Sequence, residues 1–478
     1  MPPNLSDGPV VNELKKRSVG KKTFDKEEKI SKVLPKDSQI TYATLKQAIP
    51  AHCFKPSTAH SLFATVKDLI EVGFYMVLMY YVDLSFSGEF VLGIKSSVAG
   101  VIGAPLASTI FSILFSIFLL LWISRKRRKK KKREKKKKKI QIQINNIFFS
   151  LSFPIIIDFS FFLIRFALWC VYAFICGATM TGVWVIAHEC GHGAFSQSQF
   201  INDLVGFILH TCLAVPYFSW QYTHASHHLH TNDIDKDEVF VPKSRMCKTK
   251  MKKVNFIQDL WRKAWGQLQI VIMLTLGWPI YLATNAGGRL DGAVHSHYDP
   301  TSALFGEKGV TPAPKLFILR LKVAASVIGL IAWFGFLSHL CSVYGASLVL
   351  SLYLPPLLVT NAFLVSITYL QHTHDDLPHY DHEEWTWLRG ALATIDRSMG
   401  RYLDKKLHFI HSTHVLHHIF PKVPFYHSEE ASKAIIPVLG QYYQKDEGNF
   451  FVEFWKTATK CVHLEDSKGI VFWFNETH

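Results

Sequence analysis

Three histidine clusters stand out as residues that can do chemistry: His188-Glu189-Cys190-Gly191-His192, His224-Ala225-Ser226-His227-His228 and His414-Val415-Leu416-His417-His418. On a helix, positions i, i+3 and i+4 share a face, so each cluster offers two or three imidazoles to one point. Neutral imidazole is a ligand for zinc, copper, iron and nickel. Eight such rings are too many for one ion and suit two. Two copies of H-x-x-H-H plus one H-x-x-x-H arise by chance on the order of once in a thousand such chains. Unrelated surface histidines are therefore a poor account, even in a chain with 24 His.

The elements around the clusters must hold them at a membrane. Of 478 residues, 49% are hydrophobic and only 19% charged, and the apolar residues fall in long runs. Leu69 to Leu84, Val98 to Ser124, Ile147 to Ile164, Phe166 to Ala187, Gln267 to Thr284, Val323 to Tyr344 and Ala346 to Leu370 are the runs. Stretches of roughly 18 or more apolar residues are spanning candidates. His188 follows Phe166 to Ala187 directly, which puts the first cluster at a membrane face. If all three clusters share one site, an even number of spans separates the second from the third. Three candidate runs lie between them. Gln267 to Thr284, with polar ends, Gly277 and Pro279, is expected to lie in the interface, and the other two form a hairpin. The basic loop Lys243 to Lys263 then marks the cytosolic side.

The net charge of +16 is local. Arg125 to Lys139 contains fourteen basic residues and one acidic, which leaves +3 for the rest, so the charge says little about a nucleic-acid partner. This tract and its Ile-, Asn- and Phe-rich flanks read as translated non-coding sequence within roughly 98–157. A basic loop that grips anionic lipid is the alternative. The eight cysteines form no C-x-x-C pair, which argues against a disulfide scaffold and against a thiolate zinc site. No secretory signal opens the chain. Residues 1–43 are expected to be a disordered cytosolic tail, 44–466 the membrane domain with 98–157 inserted, and 467–478 a second tail.

Several segments make a family resemblance. GVWVIAHECGHGAFS at Gly182 to Ser196, VPYFSW at Val215 to Trp220, LQHTHDDLPHY at Leu370 to Tyr380, WLRGALATIDR at Trp387 to Arg397 and LKQAIPAHCF at Leu45 to Phe54 resemble the membrane fatty acid desaturases, above all the microsomal delta-12 (oleate) and omega-3 group. The resemblance implies an all-α multi-pass integral membrane protein. Two transmembrane hairpins would lie under a cytosolic helical cap that holds a His-rich di-iron site. It implies an endoplasmic-reticulum enzyme whose boxes face the cytosol, and which uses dioxygen to place a cis double bond in an acyl-lipid. The implied iron ligands are His188, His192, His224, His227, His228, His414, His417 and His418, with a ninth at His372 and His374 as the alternative. Such chemistry needs a redox metal, because unactivated methylenes resist acid, base and nucleophile.

No HPGG haem signature and no G-x-G-x-x-G follow a strand here, so the resemblance implies external electrons from cytochrome b5 and NADH-cytochrome b5 reductase. Glu189, Asp233, Asp235 and Asp237 are candidate partners for ligand N–H groups. Trp184 and Thr181 are candidate walls of an acyl tunnel. His230, His379, His382 and His411 are expected to be non-ligands, and His210 and His339 core histidines. Delta-12 action is favoured over omega-3. An acyl hydroxylase or epoxygenase would share every box. A zinc protease reading of His188-Glu189-x-x-His192 leaves six boxed histidines unexplained.

Overall fold

The computed structural model describes residues 26–86, 134–239, 241–242, 256–289, 295–306, 312–461, 464 and 468–473, with side chains outside 134–159 and 256–266. Helices dominate. They are α1 (Tyr42–Ala48), α2 (Thr58–Phe86), α3 (Glu134–His192), α4 (Gln199–Cys212), α5 (Tyr217–His230), α6 (Phe256–Thr284), α7 (Ala313–Tyr344), α8 (Ala346–His372), α9 (Trp387–Leu392), α10 (Arg401–Lys406), α11 (His414–Ile419), α12 (Phe425–Leu439) and α13 (Phe450–Lys460). Two short strand pairs accompany them. β1 (His379–Tyr380) pairs antiparallel with β4 (Ile470–Val471), and β2 (Asp396–Arg397) pairs parallel with β3 (Lys445–Asp446).

The chain divides into two compact units, residues 73–176 and residues 1–72 with 177–478. Within the smaller, Asp83 receives Arg165 Nε at 2.6 Å, Arg165 Nη2 at 2.8 Å and Trp169 Nε1 at 2.9 Å. A forked guanidinium–carboxylate pair of this kind fixes both partners in one orientation. Most of the basic tract and of the unusual segment, residues 98–133, lies outside the described residues, as does most of the loop Lys243 to Lys263. Residues 134–157 form the first turns of α3.

The multi-pass, all-helical expectation stands. Among the described residues, four helical stretches are long and apolar enough to cross a membrane, Ser160–His192, Gln267–Thr284, Ala313–Tyr344 and Ala346–His372, and the bent pair Gln199–Cys212 with Tyr217–His230 makes a fifth if it forms one span. Ala313–Tyr344 and Ala346–His372 form the expected hairpin, turning at Gly345 with φ 89°. Such a positive φ costs glycine nothing and other residues about 1 kcal/mol or more. Trp333 Nε1 donates to Tyr353 Oη across the pair at 3.1 Å. Leu69 to Leu84 lies within α2 and is not among these stretches.

Gln267–Thr284, expected in the interface, has the length and composition of a span, although it is the least apolar of the four (mean hydropathy 1.3 against 1.9–2.0). It belongs to the longer helix α6, which packs along α8 with Gly277 beside Val365. That close packing explains why glycine is tolerated there.

The cap is built on an apolar cluster of Leu45, Ile49, Cys53, Leu392, Val415, Leu416, Ile419, Ala431 and Ile435. It ties α1, α9 and α12 to the back of α11. Within the expected N-terminal tail 1–43, residues 1–25 lie outside the described residues, and part of the rest is packed. Val33 and Leu34 are buried, Arg389 Nε donates to Leu34 O at 2.7 Å, and Lys29 Nζ donates to Asp375 O at 2.7 Å. The expected C-terminal tail is also revised: β4 pairs with β1, and Phe472 and Trp473 are buried. The seven described cysteines are all free thiols.

Candidate metal centre

Each box sits where its helix delivers it. The first ends α3, the second ends α5, and the third is α11 itself. Helical spacing stacks His188 on His192, with Nε2 atoms 3.2 Å apart, His224 on His228 at 3.2 Å, and His414 on His418 at 3.2 Å. The boxes then meet. His188 and His224 Nε2 are 3.0 Å apart.

Two groups result. In one, a ring nitrogen from each of His188, His192, His224, His228 and His417 lies within 4.8 Å of all the others; in the second, the same holds for His227, His372 and His418. His414 Nε2 adjoins the second group, 3.1 Å from His372 Nε2. All eight boxed histidines converge, and so does His372, which is also 3.3 Å from His227 Nε2. His374 does not. Its Nδ1 accepts the Asp376 backbone N–H at 3.2 Å.

Three of the rings are held in one tautomer by their outer nitrogens. Carbonyl oxygens only accept, so His414 Nδ1 donates to Ile410 O at 2.9 Å. His227 Nδ1 donates to Asp237 Oδ1 at 2.7 Å. His418 Nδ1 donates to Thr231 Oγ1 at 3.2 Å, whose own hydrogen goes to His227 O at 2.8 Å. In each, Nε2 keeps a lone pair aimed into the cluster.

Protonation is suppressed as well. Burial, and then the neighbouring imidazoles, push His417 and His418 well below the ordinary histidine range, and burial brings His414 to about 3. Packed lone pairs without protons repel one another, and His417 Nε2 is buried with no hydrogen-bond partner. Such a donor set fits metal cations, and two groups of nitrogens fit two ions.

Of the four acidic candidates only Asp237 bonds a boxed ring. Glu189 Oε2 instead accepts the Phe425 N–H at 3.1 Å, at the start of α12. Its Oε1 is 3.8 Å from His188 Nδ1, beyond hydrogen-bond range. Asp233 Oδ1 accepts the Asp235 N–H at 3.0 Å, and Asp235 is exposed. The histidines expected outside the site are outside it. His230 Nδ1 bonds Ser226 O, His379 packs on Trp473, His382 is exposed, and His411 Nε2 bonds Asp404. His210 is buried against Trp184 O. His339, expected in a core, is exposed on α7, because a long apolar helix in a bilayer shows its outer face to lipid.

Sequence reasoning missed the supports of the third box. Asp396 Oδ1 accepts the Val415 N–H at 2.8 Å at the start of α11, and Asp396 Oδ2 accepts Tyr443 Oη–H at 2.8 Å. Gln371 Nε2 and the Arg397 backbone N–H both donate to His411 O, at 3.1 and 2.9 Å. These bonds fasten the end of α8, and so His372, to the loop before α11. The LQHTHDDLPHY and WLRGALATIDR runs, which hold Gln371, Asp396 and Arg397, were the only signs of them.

Beside the histidine cluster lies a cavity of about 450 Å³. Trp184, Trp220, Trp278, Tyr281, Leu364 and Val365 wall it, and His224, His227, His372 and His414 stand at its polar end. Trp184 stacks on His188 and Trp220 on His224, with centroids 5.7 and 4.5 Å apart. Trp184 therefore is a wall. Thr181 is not: its hydroxyl donates to Gly177 O within α3. Trp220, Trp278 and Tyr281 carried no signal beyond ordinary helix packing. A cavity that is apolar along its walls and metal-binding at one end suits a long apolar ligand whose reacting atoms reach the cluster.

The fatty acid desaturase family model matches residues 165–446. A Delta(12)-fatty-acid desaturase of Vernicia fordii is 45% identical over 314 residues, 64% of this chain and 77% of the relative. An endoplasmic-reticulum omega-6 fatty acid desaturase isozyme of Glycine max is 45% identical over 311 residues, 64% and 76% of the two chains. An oleoyl-12-hydroxylase of Ricinus communis is 42% identical over 315 residues, 65% and 77%.

Proposed function

We propose, because the chain belongs to the fatty acid desaturase family, that it places a cis double bond at carbon 12 of an oleoyl chain, forming a linoleoyl chain. The observation that carries this is the convergence of nine imidazoles, seven of them buried, with four standing at the end of one apolar cavity. His188, His192, His224, His228 and His417 would hold one iron, and His227, His372, His414 and His418 the other. Bound iron supplies the oxidising power, with dioxygen, that side chains lack. The protein binds the acyl chain, orients it and excludes water. The tryptophans and Tyr281 press on the chain and fix which methylenes stand beside the cluster. Electrons come from cytochrome b5 and its NADH-dependent reductase. The protein resides in the endoplasmic-reticulum membrane with its boxes toward the cytosol, which is the side cytochrome b5 reaches. The similarity to endoplasmic-reticulum relatives supports that location.

Expression in a yeast that makes oleate but no dienes tests the reaction. The expected product is a diene with double bonds at carbons 9 and 12. Trienes only, on linoleate feeding, would replace this reading by omega-3 desaturation. A 12-hydroxy product would replace it by the chemistry of the Ricinus relative. A form lacking 98–157 should make the diene at least as well, as expected of a segment that the enzyme does not need.

The cavity makes a second prediction. A Cβ at Gly277 would stand 3.5 Å from Met273 Cγ and 3.6 Å from Val365 Cγ2, ordinary contact distances. Gly277→Ala is therefore tolerated. Gly277→Leu places further atoms against the cavity wall and shortens the chain that fits. A methylene is worth ~1–3 kcal/mol in such a pocket. The ratio of 16- to 18-carbon dienes, read by gas chromatography, should rise about tenfold or more. An unchanged ratio would remove the cavity as the acyl site.

A further inference from the structure

A second set of metal-ligating side chains lies apart from the histidine cage. His52 and Cys53 stand in the 3-10 turn Ala51–Phe54, and His427 and Glu430 in the first turns of α12. One donor atom from each lies within 4.8 Å of the other three. Tetrahedral zinc, with bonds of ~2.0–2.1 Å to nitrogen or oxygen and ~2.3 Å to sulfur, sets a nitrogen and a sulfur about 3.6 Å apart and two lighter donors about 3.4 Å apart. Cys53 Sγ and His52 Nε2 are 3.6 Å apart. Glu430 Oε2 is 2.9 Å from His52 Nε2 and 3.9 Å from His427 Nδ1, which brackets the expected edge.

We propose that His52, Cys53, His427 and Glu430 form a zinc site that fastens the 3-10 turn to α12. An ion pair between His52 and Glu430 explains two of the four residues. It leaves unexplained why a fully buried thiol and a second imidazole face the same point. The donor set is of the kind zinc takes: one thiolate, two imidazoles and a carboxylate. Four protein ligands close the coordination sphere, so the ion has a structural role and no open position for a substrate. His52 and Glu430 are about half exposed, with side chains 55% and 50% accessible, so the ion can enter from solvent. Cys53 also belongs to the apolar cluster that backs Val415, Leu416 and Ile419. The zinc therefore braces the layer behind the third histidine box without touching the box.

The test uses the full-length protein purified from yeast membranes in detergent, with metals counted by plasma mass spectrometry. About one zinc per chain is expected. Cys53→Ser and His427→Ala should each lower it about tenfold or more and leave the iron count unchanged, as expected when binding and local folding are linked. An unmutated readout guards against variants that misfold. Cobalt(II) added to the purified wild-type protein should show a thiolate-to-cobalt charge-transfer band in the near ultraviolet, and zinc K-edge absorption should fit one sulfur and three lighter donors. No zinc in the wild type after dialysis against zinc, or zinc retained in both variants, overturns the proposal. So does a zinc shell without sulfur, which would place that zinc in the histidine cage.

Discussion

His417→Ala is expected to abolish diene formation while the protein still accumulates in the membrane. The His417 ring lies at the meeting point of all three boxes, with centroids 4.6 Å from His188, 4.7 Å from His228 and 4.9 Å from His192. Its Nε2 is buried without a hydrogen-bond partner, so it has no visible task except to meet a cation. Removing an outer partner of a ligand costs ~10–100-fold, and removing the ligand itself should cost at least ~100-fold. Iron per chain should fall from about two toward one, because His227, His372, His414 and His418 still surround the other position. His382→Ala is the matched control: it too lies near a box in sequence, but it is exposed, and its product yield should equal the wild type. Near-normal product from His417→Ala, with iron at about two per chain, would sink the shared-cage assignment.

The contrast between His417 and His382 shows why the cage was legible in the sequence. Ligand histidines repeat at i, i+3 and i+4, and helix geometry converts that spacing into one face. His372 has no such spacing and was reached only through resemblance. The supports were less visible. Asp396 binds the Val415 N–H from nineteen residues away, and no local pattern marks it. Residues 26–43 have the mixed charge of a tail. Two apolar side chains, with Leu34 O accepting from Arg389 Nε 355 residues later, are enough to hold them. The walls of the cavity were hidden for a different reason. An aromatic residue in an apolar helix has the same composition whether it packs on protein, lipid or ligand, so Trp278 and Tyr281 could not be told from packing. His339 failed in the same way from the other side: its apolar setting is shared by a core and by a lipid-facing surface.

Asp237 divides two acidic residues that the sequence could not separate. Asp235→Asn should leave activity unchanged, since that side chain is exposed. Asp237→Asn should lower product and the metal affinity of the second group ~10–100-fold, so iron per chain falls from about two toward one. The Asp237 carboxylate is buried and takes three donors. Its Oδ1 receives His227 Nδ1–H at 2.7 Å and the Val239 N–H at 3.1 Å, and its Oδ2 receives the Asn232 N–H at 2.8 Å. An amide cannot accept on both sides. With its oxygen toward His227, its NH2 faces the Asn232 N–H, and two buried donors oppose each other at a cost of ~1–3 kcal/mol. With the amide turned, the NH2 faces His227. The ring then accepts at Nδ1 and carries its hydrogen at Nε2, where the lone pair is needed for metal. Either arrangement weakens the second group, His227, His372 and His418. Supplementing the medium with iron should recover part of the product in Asp237→Asn, because the defect lies in affinity, and should recover none in His417→Ala. Full iron and full product in Asp237→Asn would show that His227 needs no carboxylate to hold its orientation.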